Sequence, residues 1–100
     1  METTLETCKY IKRRTVGQVT VAGDVSGEQT DSLLEAVRSA VNDKTTKKVE
    51  LMLRDVERLG TRGIQVVIAL KQELARTDRT LLFLDAGTRV KQELQLTGLM

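Results

Sequence analysis

The segment VELMLRDVERLGTRGIQVVIAL, residues 49–70, decides how this chain folds. Its first part alternates apolar and polar side chains, which predicts a strand with one buried face over residues 48–53. Its last part, residues 64–70, is apolar on nearly all sides and predicts a deeply buried helix over about residues 62–77. A strand followed closely by a buried helix is typical of an α/β fold.

The N-terminal side of this segment predicts two strands and a helix. Residues 7–13 and 18–22 have strand character and flank a turn at residues 15–17. A loop follows at residues 23–27. A helix is expected to start at Ser26, because its hydroxyl and the glutamine three residues later have the spacing of a capping box.

The C-terminal side adds a strand and a helix. Residues 81–84 are apolar without interruption, which is typical of a strand at the centre of a sheet, covered on both faces. A last helix is expected over about residues 88–96. The order ββαβαβα predicts a single α/β domain over residues 1–100, with a mostly parallel sheet of about four strands and helices packed against it.

Composition and charge exclude several classes of function. The chain has 16 Lys and Arg against 14 Asp and Glu, a net charge of +2, which gives no bulk attraction to nucleic acid or anionic membranes. It has no His and one Cys, which rules out His-based catalysis, an internal disulfide and a multi-thiolate zinc site. We therefore expect no catalytic residues, no metal and no cofactor.

The apolar pattern and the cysteine bear on where the protein resides. The longest unbroken apolar run, residues 66–70, is far too short to span a bilayer. The first six residues lack the basic and then apolar layout of a signal peptide. A single cysteine, Cys8, suits a reducing compartment. We expect a cytoplasmic protein without membrane insertion.

The residues that can carry chemistry lie at the junction of the strand and the buried helix, residues 59–64. Free backbone N–H groups and the positive end of the helix dipole suit this place to an anion or a phosphoryl group. An ordinary structural role explains the same residues: Thr61 as a helix N-cap, and the glycines as a tight loop with close packing. Both interpretations stay open at this point.

Four segments in order together resemble the STAS domain, a family that includes bacterial anti-sigma-factor antagonists. They are VAGDV at 21–25, LMLRDV at 51–56, LGTRGI at 59–64, and the spacing of Val90, Leu94, Gly98 and Leu99. In that family, the strand–helix junction reads roughly Asp-Ser-Ser/Thr-Gly, and a kinase that is also the anti-sigma factor phosphorylates the second hydroxyl residue. The unphosphorylated domain binds this kinase and frees the sigma factor. The resemblance implies a serine kinase/anti-sigma partner.

The chain departs from the family pattern at the phosphorylated site. Gly60 stands in place of the Asp, Thr61 matches the first hydroxyl residue, Arg62 replaces the phosphoacceptor and Gly63 matches the glycine. In the earlier loop, Ser26 replaces the second acid of the family pattern. Arginine has no hydroxyl, so the usual phosphorylation cannot occur. Thr61 is the candidate for a displaced acceptor, and Ser26 is the second choice.

The resemblance and the charges together predict a partner-binding surface at two loops and the start of the buried helix. Arginines at 54, 58 and 62 recur beside the junction, either as a basic rim for an acidic partner or as part of a mixed-charge loop. The residues expected to contact the partner are Asp24, Ser26, Arg58, Gly60, Thr61, Arg62 and Gly63.

Two alternatives remain. STAS modules of phospholipid-transport ABC systems, which support an ATPase subunit, are similar in having Thr before glycine near the same loop. The run from Gly60 to Gly63 also resembles the Gly-x-x-Gly loop of KH domains, which clamps a nucleic-acid backbone. KH loops join two helices, however, and two aromatic residues offer little for base stacking. No P-loop or other catalytic motif is present, so we expect a protein that is not an enzyme.

Overall fold

The backbone follows the predicted order of elements. The computed structural model describes residues 8–25 and 29–100, apart from the side chains of Lys9 and Gln29. The strands are β1 (Cys8–Arg13), β2 (Val16–Asp24), β3 (Lys48–Arg58) and β4 (Thr80–Leu84), and the helices are α1 (Gln29–Asn42), α2 (Gly60–Arg76) and α3 (Thr88–Leu96). The sheet has the order β1-β2-β3-β4. β1 is antiparallel to β2, whereas β2, β3 and β4 are mutually parallel. The predicted fold class is confirmed.

One face of the sheet carries the core. Val19 and Val21 of β2 and Val49, Leu51 and Leu53 of β3 are fully buried and, because they alternate along their strands, share that face. Side chains from all three helices join them in one cluster, among them Leu33, Val67, Leu70 and Leu94. The strand residues between them form the opposite face, where Ile11 is 40% exposed and Leu82 is 37% exposed.

β3 continues further than the alternation predicted. The strand was expected to end at residue 53, with a mixed-charge loop after it, but it extends to Arg58 and pairs with β2 as far as Asp24. The pairing of β2 and β3 shifts register between Thr20 and Ala22. The next core residue after Leu53 is therefore Val56, three positions on. Such an irregularity interrupts the period of two and hides the second half of the strand.

The prediction that residues 81–84 form the sheet centre is wrong, because β4 pairs with β3 only and lies at an edge of the sheet. Leu81 and Phe83 pack against the core, while Leu82 faces the other way. A short apolar run does not distinguish an edge strand from a central one.

The β1–β2 hairpin turns one to two residues earlier than the expected residues 15–17. Arg13 pairs with Val16, so the turn consists of Arg14 and Thr15. Gly17 lies within β2 beneath the ring of Tyr10, where an added Cβ would stand 2.6 Å from Tyr10 Cε1. Glycine is required here because the aromatic ring occupies the space of a side chain.

A buried arginine closes the C-terminus of α1. Arg79, which is 8% exposed, lies just before β4. Its guanidinium donates hydrogen bonds to the carbonyl oxygens of Ala40 (3.3 Å), Val41 (2.9 Å) and Asp43 (3.1 Å). Ala40 and Val41 lie in the last turn of α1, where a helix leaves its carbonyl groups unpaired and a positive charge is favourable.

Asp43, just beyond α1, ties the same end of the molecule to β1. Its carboxylate accepts a hydrogen bond from Tyr10 Oη (3.0 Å) and lies 3.4 Å from Lys12 Nζ. Hydrogen bonding from Thr45 is the main cause that lowers the pKa of Asp43 to about 2. Burial, and then the hydrogen bond to Asp43, raises the pKa of Tyr10 to about 12. We call this region, with Tyr10, Asp43 and Arg79, the amino end of the sheet.

Candidate functional site

The predicted site residues meet where the parallel strands end. β2 ends at Asp24 and β3 at Arg58, and these two residues are paired across the strands. Arg58 Nε lies 3.7 Å from Asp24 Oδ1, and both side chains are nearly half exposed. α2 begins at Gly60, immediately beyond. In parallel sheets this end is where ligands usually bind, because strand ends and helix N-termini converge there. We call the region of Asp24, Arg58 and residues 60–63 the carboxyl end of the sheet.

A carboxylate from α3 caps the start of α2. The two oxygens of Glu93 accept hydrogen bonds from the backbone N–H groups of Leu59 (3.1 Å) and Gly60 (2.9 Å). Gly60 has a φ of +72°, a conformation that glycine adopts at little cost and that the aspartate of the family pattern tolerates less well. The anion expected at this helix N-terminus is thus supplied from within the chain.

The structural role predicted for Thr61 is wrong. α2 begins at Gly60, so Thr61 lies in the first turn with an exposed side chain instead of capping the helix. The capping group is Glu93, which sequence reasoning missed because it lies 33 residues further along the chain. One signal was available: the first turn of α2 contains no acid and does contain Arg62, so the N-terminus needs a negative charge from elsewhere.

Arg62 connects the starts of α1 and α2. Its guanidinium lies 3.9 Å from Asp31 Oδ1, and the two side chains are 64% and 83% exposed. Exposed pairs at this distance contribute little stability. Arg54 has a comparable contact with Asp85, at 3.2 Å. Each of the three arginines near the junction therefore lies beside an acid of another segment, and the surface is a mixed-charge network instead of a purely basic rim.

The remaining predicted site residues have different settings. Gly63 is buried, and a Cβ at this position would stand 3.3 Å from the Cβ of Leu59. Glycine therefore allows the first turn of α2 to lie close to Leu59. In the loop expected at residues 23–27, Val25, which was not a predicted site residue, is fully buried, and its carbonyl oxygen accepts a hydrogen bond from Thr30 Oγ1 at 2.7 Å. Ser26, with its predicted capping box, lies outside the described residues; the helix that it was expected to start is described from Gln29.

A groove of about 460 Å³ lies between α2 and α3 at the carboxyl end. Thr61 and Glu93 border it, together with Arg58, Ile64, Arg89 and Leu96. Three residues of the expected partner surface, Arg58, Gly60 and Thr61, therefore share a groove with α3, an element that sequence reasoning did not include.

The described residues offer no group of three acidic, Cys or His side chains that could hold a metal ion. Cys8 is buried. In the described part of the chain, no helix has the length and apolar character needed to cross a membrane.

Comparison with known proteins agrees with this architecture. The family model described as "Mlab, STAS domain" matches residues 8–100. An anti-sigma factor antagonist from Mycobacterium paratuberculosis has a similar structure: the TM-score is 0.78 at 23% identity, covering 93% of this chain and 78% of that one. No protein of curated function matches the sequence.

Two structures of SpoIIAA are also similar. The unphosphorylated form of this anti-sigma factor antagonist gives a TM-score of 0.79 at 13% identity, covering 92% of this chain and 81% of that one. The phosphorylated form of SpoIIAA, described as a Bacillus cell fate determinant, gives a TM-score of 0.75 at 12% identity. The match covers 92% of this chain and 84% of that one. These likenesses show that the chain shares the fold of these antagonists. With the family match over residues 8–100, the chain belongs to the STAS domain family.

Proposed function

We propose that this STAS domain is a non-enzymatic, cytoplasmic regulatory module that docks a protein partner through the carboxyl end of its sheet. The observation that carries the proposal is one exposed junction, where the end of β3 and the start of α2, with Arg58, Thr61 and Arg62, meet Asp24 at the end of β2. In the antagonists that share this fold, the resemblance implies that the same junction meets a serine kinase that is also an anti-sigma factor. A partner of that class is the first candidate here.

The switch of such antagonists is altered in this chain. Arg62 occupies the position of the phosphoacceptor and offers no hydroxyl. Thr61 is exposed, but it borders the same groove as Glu93, whose carboxylate already accepts the N–H groups at the start of α2. A phosphate on Thr61 would add about −1.5 to −2 charge beside that carboxylate and would find those donors occupied. We therefore propose that the domain binds its partner without being phosphorylated.

Intact-mass measurement tests this part of the proposal. We expect no added phosphate on protein purified from its own cells. Thr61→Ala and Arg62→Ser serve as controls: a phosphate that disappears in Thr61→Ala would contradict the proposal and assign the acceptor. A phosphate gained in Arg62→Ser alone would support the alignment, because it would restore the hydroxyl at the family position.

Partner capture tests the docking surface. We expect Arg62→Glu to lose a protein that the parent domain retains from native extract. Arg13→Glu makes the same charge change on β1, at an exposed residue near the opposite end of the sheet, and should retain it. Recovery of a histidine-kinase-like serine kinase would support the antagonist role. Equal capture by the two variants would contradict docking at the carboxyl end.

The second candidate is an accessory subunit of a phospholipid-transport ABC system. The observation that favours it is the family match, which is to the Mlab type of STAS domain. Recovery of an ABC ATPase in the same capture experiment would select this candidate. The KH-like alternative is withdrawn, because β3 and not a helix precedes Gly60.

A further inference from the structure

The groove between α2 and α3 is bordered by an apolar side chain that the fold leaves uncovered. Leu96, on α3, is 88% exposed, far more than the other exposed large apolar side chains of the described residues. Ile64 of α2 is 7% exposed and lies in the same groove. Leu96 also borders a second depression, of about 360 Å³, together with Gln92 and Gln95. Leu96 therefore offers apolar area, at the edge of both depressions, to a side chain from outside the domain.

The charges around the groove are predominantly positive. Arg58 and Arg89 line it; Arg58 has only the long, exposed pair with Asp24, and Arg89 forms no ion pair within the described residues. Glu93 is the one acid among the lining residues. Both of its oxygens accept backbone N–H groups at the start of α2, so the positive end of the helix dipole offsets part of its charge. The groove therefore complements a negatively charged partner segment.

We propose that this groove binds an acidic amphipathic segment of a protein partner. An apolar side chain of the segment packs between Leu96 and Ile64, and its carboxylates lie beside Arg58 and Arg89. This is the helix-in-groove form of recognition, in which an apolar face supplies contact area and flanking charges set the orientation. The inference rests on the proposed function and supplies the chemistry of the partner at that same surface.

A peptide titration tests the inference on the intact domain. The probe is a synthetic amphipathic peptide of Leu and Glu, and its matched control has Lys in place of every Glu. On ¹⁵N-labelled protein we expect saturable amide shifts, for the acidic peptide only, at the start of α2 and along α3. Affinity should fall about tenfold in Arg89→Glu and in Leu96→Asp, as removing a central contact or reversing a charge commonly does.

Leu82→Asp is the control for Leu96→Asp, because it places the same charge at an exposed leucine on the opposite face of the sheet. It should leave peptide affinity unchanged. The inference is overturned if the lysine peptide binds equally well, if the shifts fall on the opposite sheet face, or if neither groove variant weakens binding. Binding to vesicles rich in anionic lipid, with no response to the peptide, would also overturn it.

Capture from native extract separates this inference from the proposed function. If Leu96→Asp and Arg89→Glu retain the partner while Arg62→Glu loses it, docking at the carboxyl end stands and the groove inference fails. If Arg62→Glu retains the partner as well, the proposed function fails. Loss in the groove variants together with Arg62→Glu supports both. A thermal melt of each variant confirms that it is folded.

Discussion

The two ends of the parallel strands are built from different kinds of contact. At the amino end, the guanidinium of Arg79 is buried and donates to the carbonyl groups that end α1, at 2.9 to 3.3 Å. At the carboxyl end, Arg58 and Arg62 are exposed and their ion pairs are long, 3.7 Å and 3.9 Å. Short, buried hydrogen bonds stabilise a fold. Long, exposed ion pairs contribute little to it and can be replaced at small cost by contacts with a partner.

Glu93 is the exception at the carboxyl end, and it explains how an open surface keeps a fixed shape. Its bonds to Leu59 and Gly60 hold α3 against the start of α2. The side chains of Thr61 and Arg62 remain exposed on this fixed junction. The comparison therefore predicts large effects on stability at Arg79, intermediate ones at Glu93 and effects on binding alone at Arg62.

The largest change in stability is expected for Arg79→Met. Methionine keeps most of the apolar volume but leaves the carbonyl groups at the end of α1 without their charged donor. We expect a loss of about 3 kcal/mol and a fall in Tm of more than about 10 °C. Urea unfolding and calorimetry measure these values. Arg76→Met, at an exposed arginine of α2 paired with Glu73, is the control and should shift Tm far less. Equal shifts would contradict the role of Arg79.

Glu93→Ala should have an intermediate effect. It removes the acceptor for the backbone N–H groups at the start of α2, a loss comparable to that of a helix cap, about 1–2 kcal/mol. Glu93→Gln keeps an acceptor oxygen without the charge and should lose less. Denaturant unfolding measures both. If Thr61→Ala cost more stability than Glu93→Ala, Thr61 would be the cap after all.

The smallest effects on stability are expected from pH and belong to the amino end. The pKa of Asp43 is lowered to about 2 in the fold, so its contribution is complete above pH of about 4 and is lost as the pH falls towards 2. The pKa of Tyr10 is raised to about 12, so its contribution is present below pH of about 10 and is lost as the pH rises towards 12.

Unfolding free energies measured across pH check both limbs. Asp43→Asn should flatten the acid limb and Tyr10→Phe the alkaline limb. Asp31→Asn, at the exposed pair with Arg62, is the control and should leave the curve as it is. If Asp43→Asn left the acid limb unchanged, the predicted contribution of Asp43 to stability at the amino end would be contradicted.

The sequence predicted the features that depend on local pattern. The order of elements, the buried α2 and the junction at residues 60–63 are readable because alternation and helical periodicity act within one segment. The second half of β3 was not predicted, because a register shift interrupts the alternation of apolar and polar residues before Val56. β4 was placed wrongly, because an apolar run of four residues does not show which strands lie on either side of it.

The contacts that distinguish the two ends are long-range, and no local pattern encodes them. Arg79 reaches Ala40 across 39 positions, and Glu93 reaches Gly60 across 33. In the sequence both are single charged residues of ordinary type. The location of the candidate site was predictable from family resemblance and helix electrostatics. Its cap and the groove bordered by α3 required the fold.

Amide hydrogen exchange with the captured partner tests the central claim, that the carboxyl end binds and the amino end holds the fold. We expect the partner to slow exchange over residues 58–65 and along α3, and to leave the segments around Asp43 and Arg79 as they are in the free domain. Slowed exchange confined to the amino end, or to the exposed strand residues on the face opposite the helices, would contradict the account.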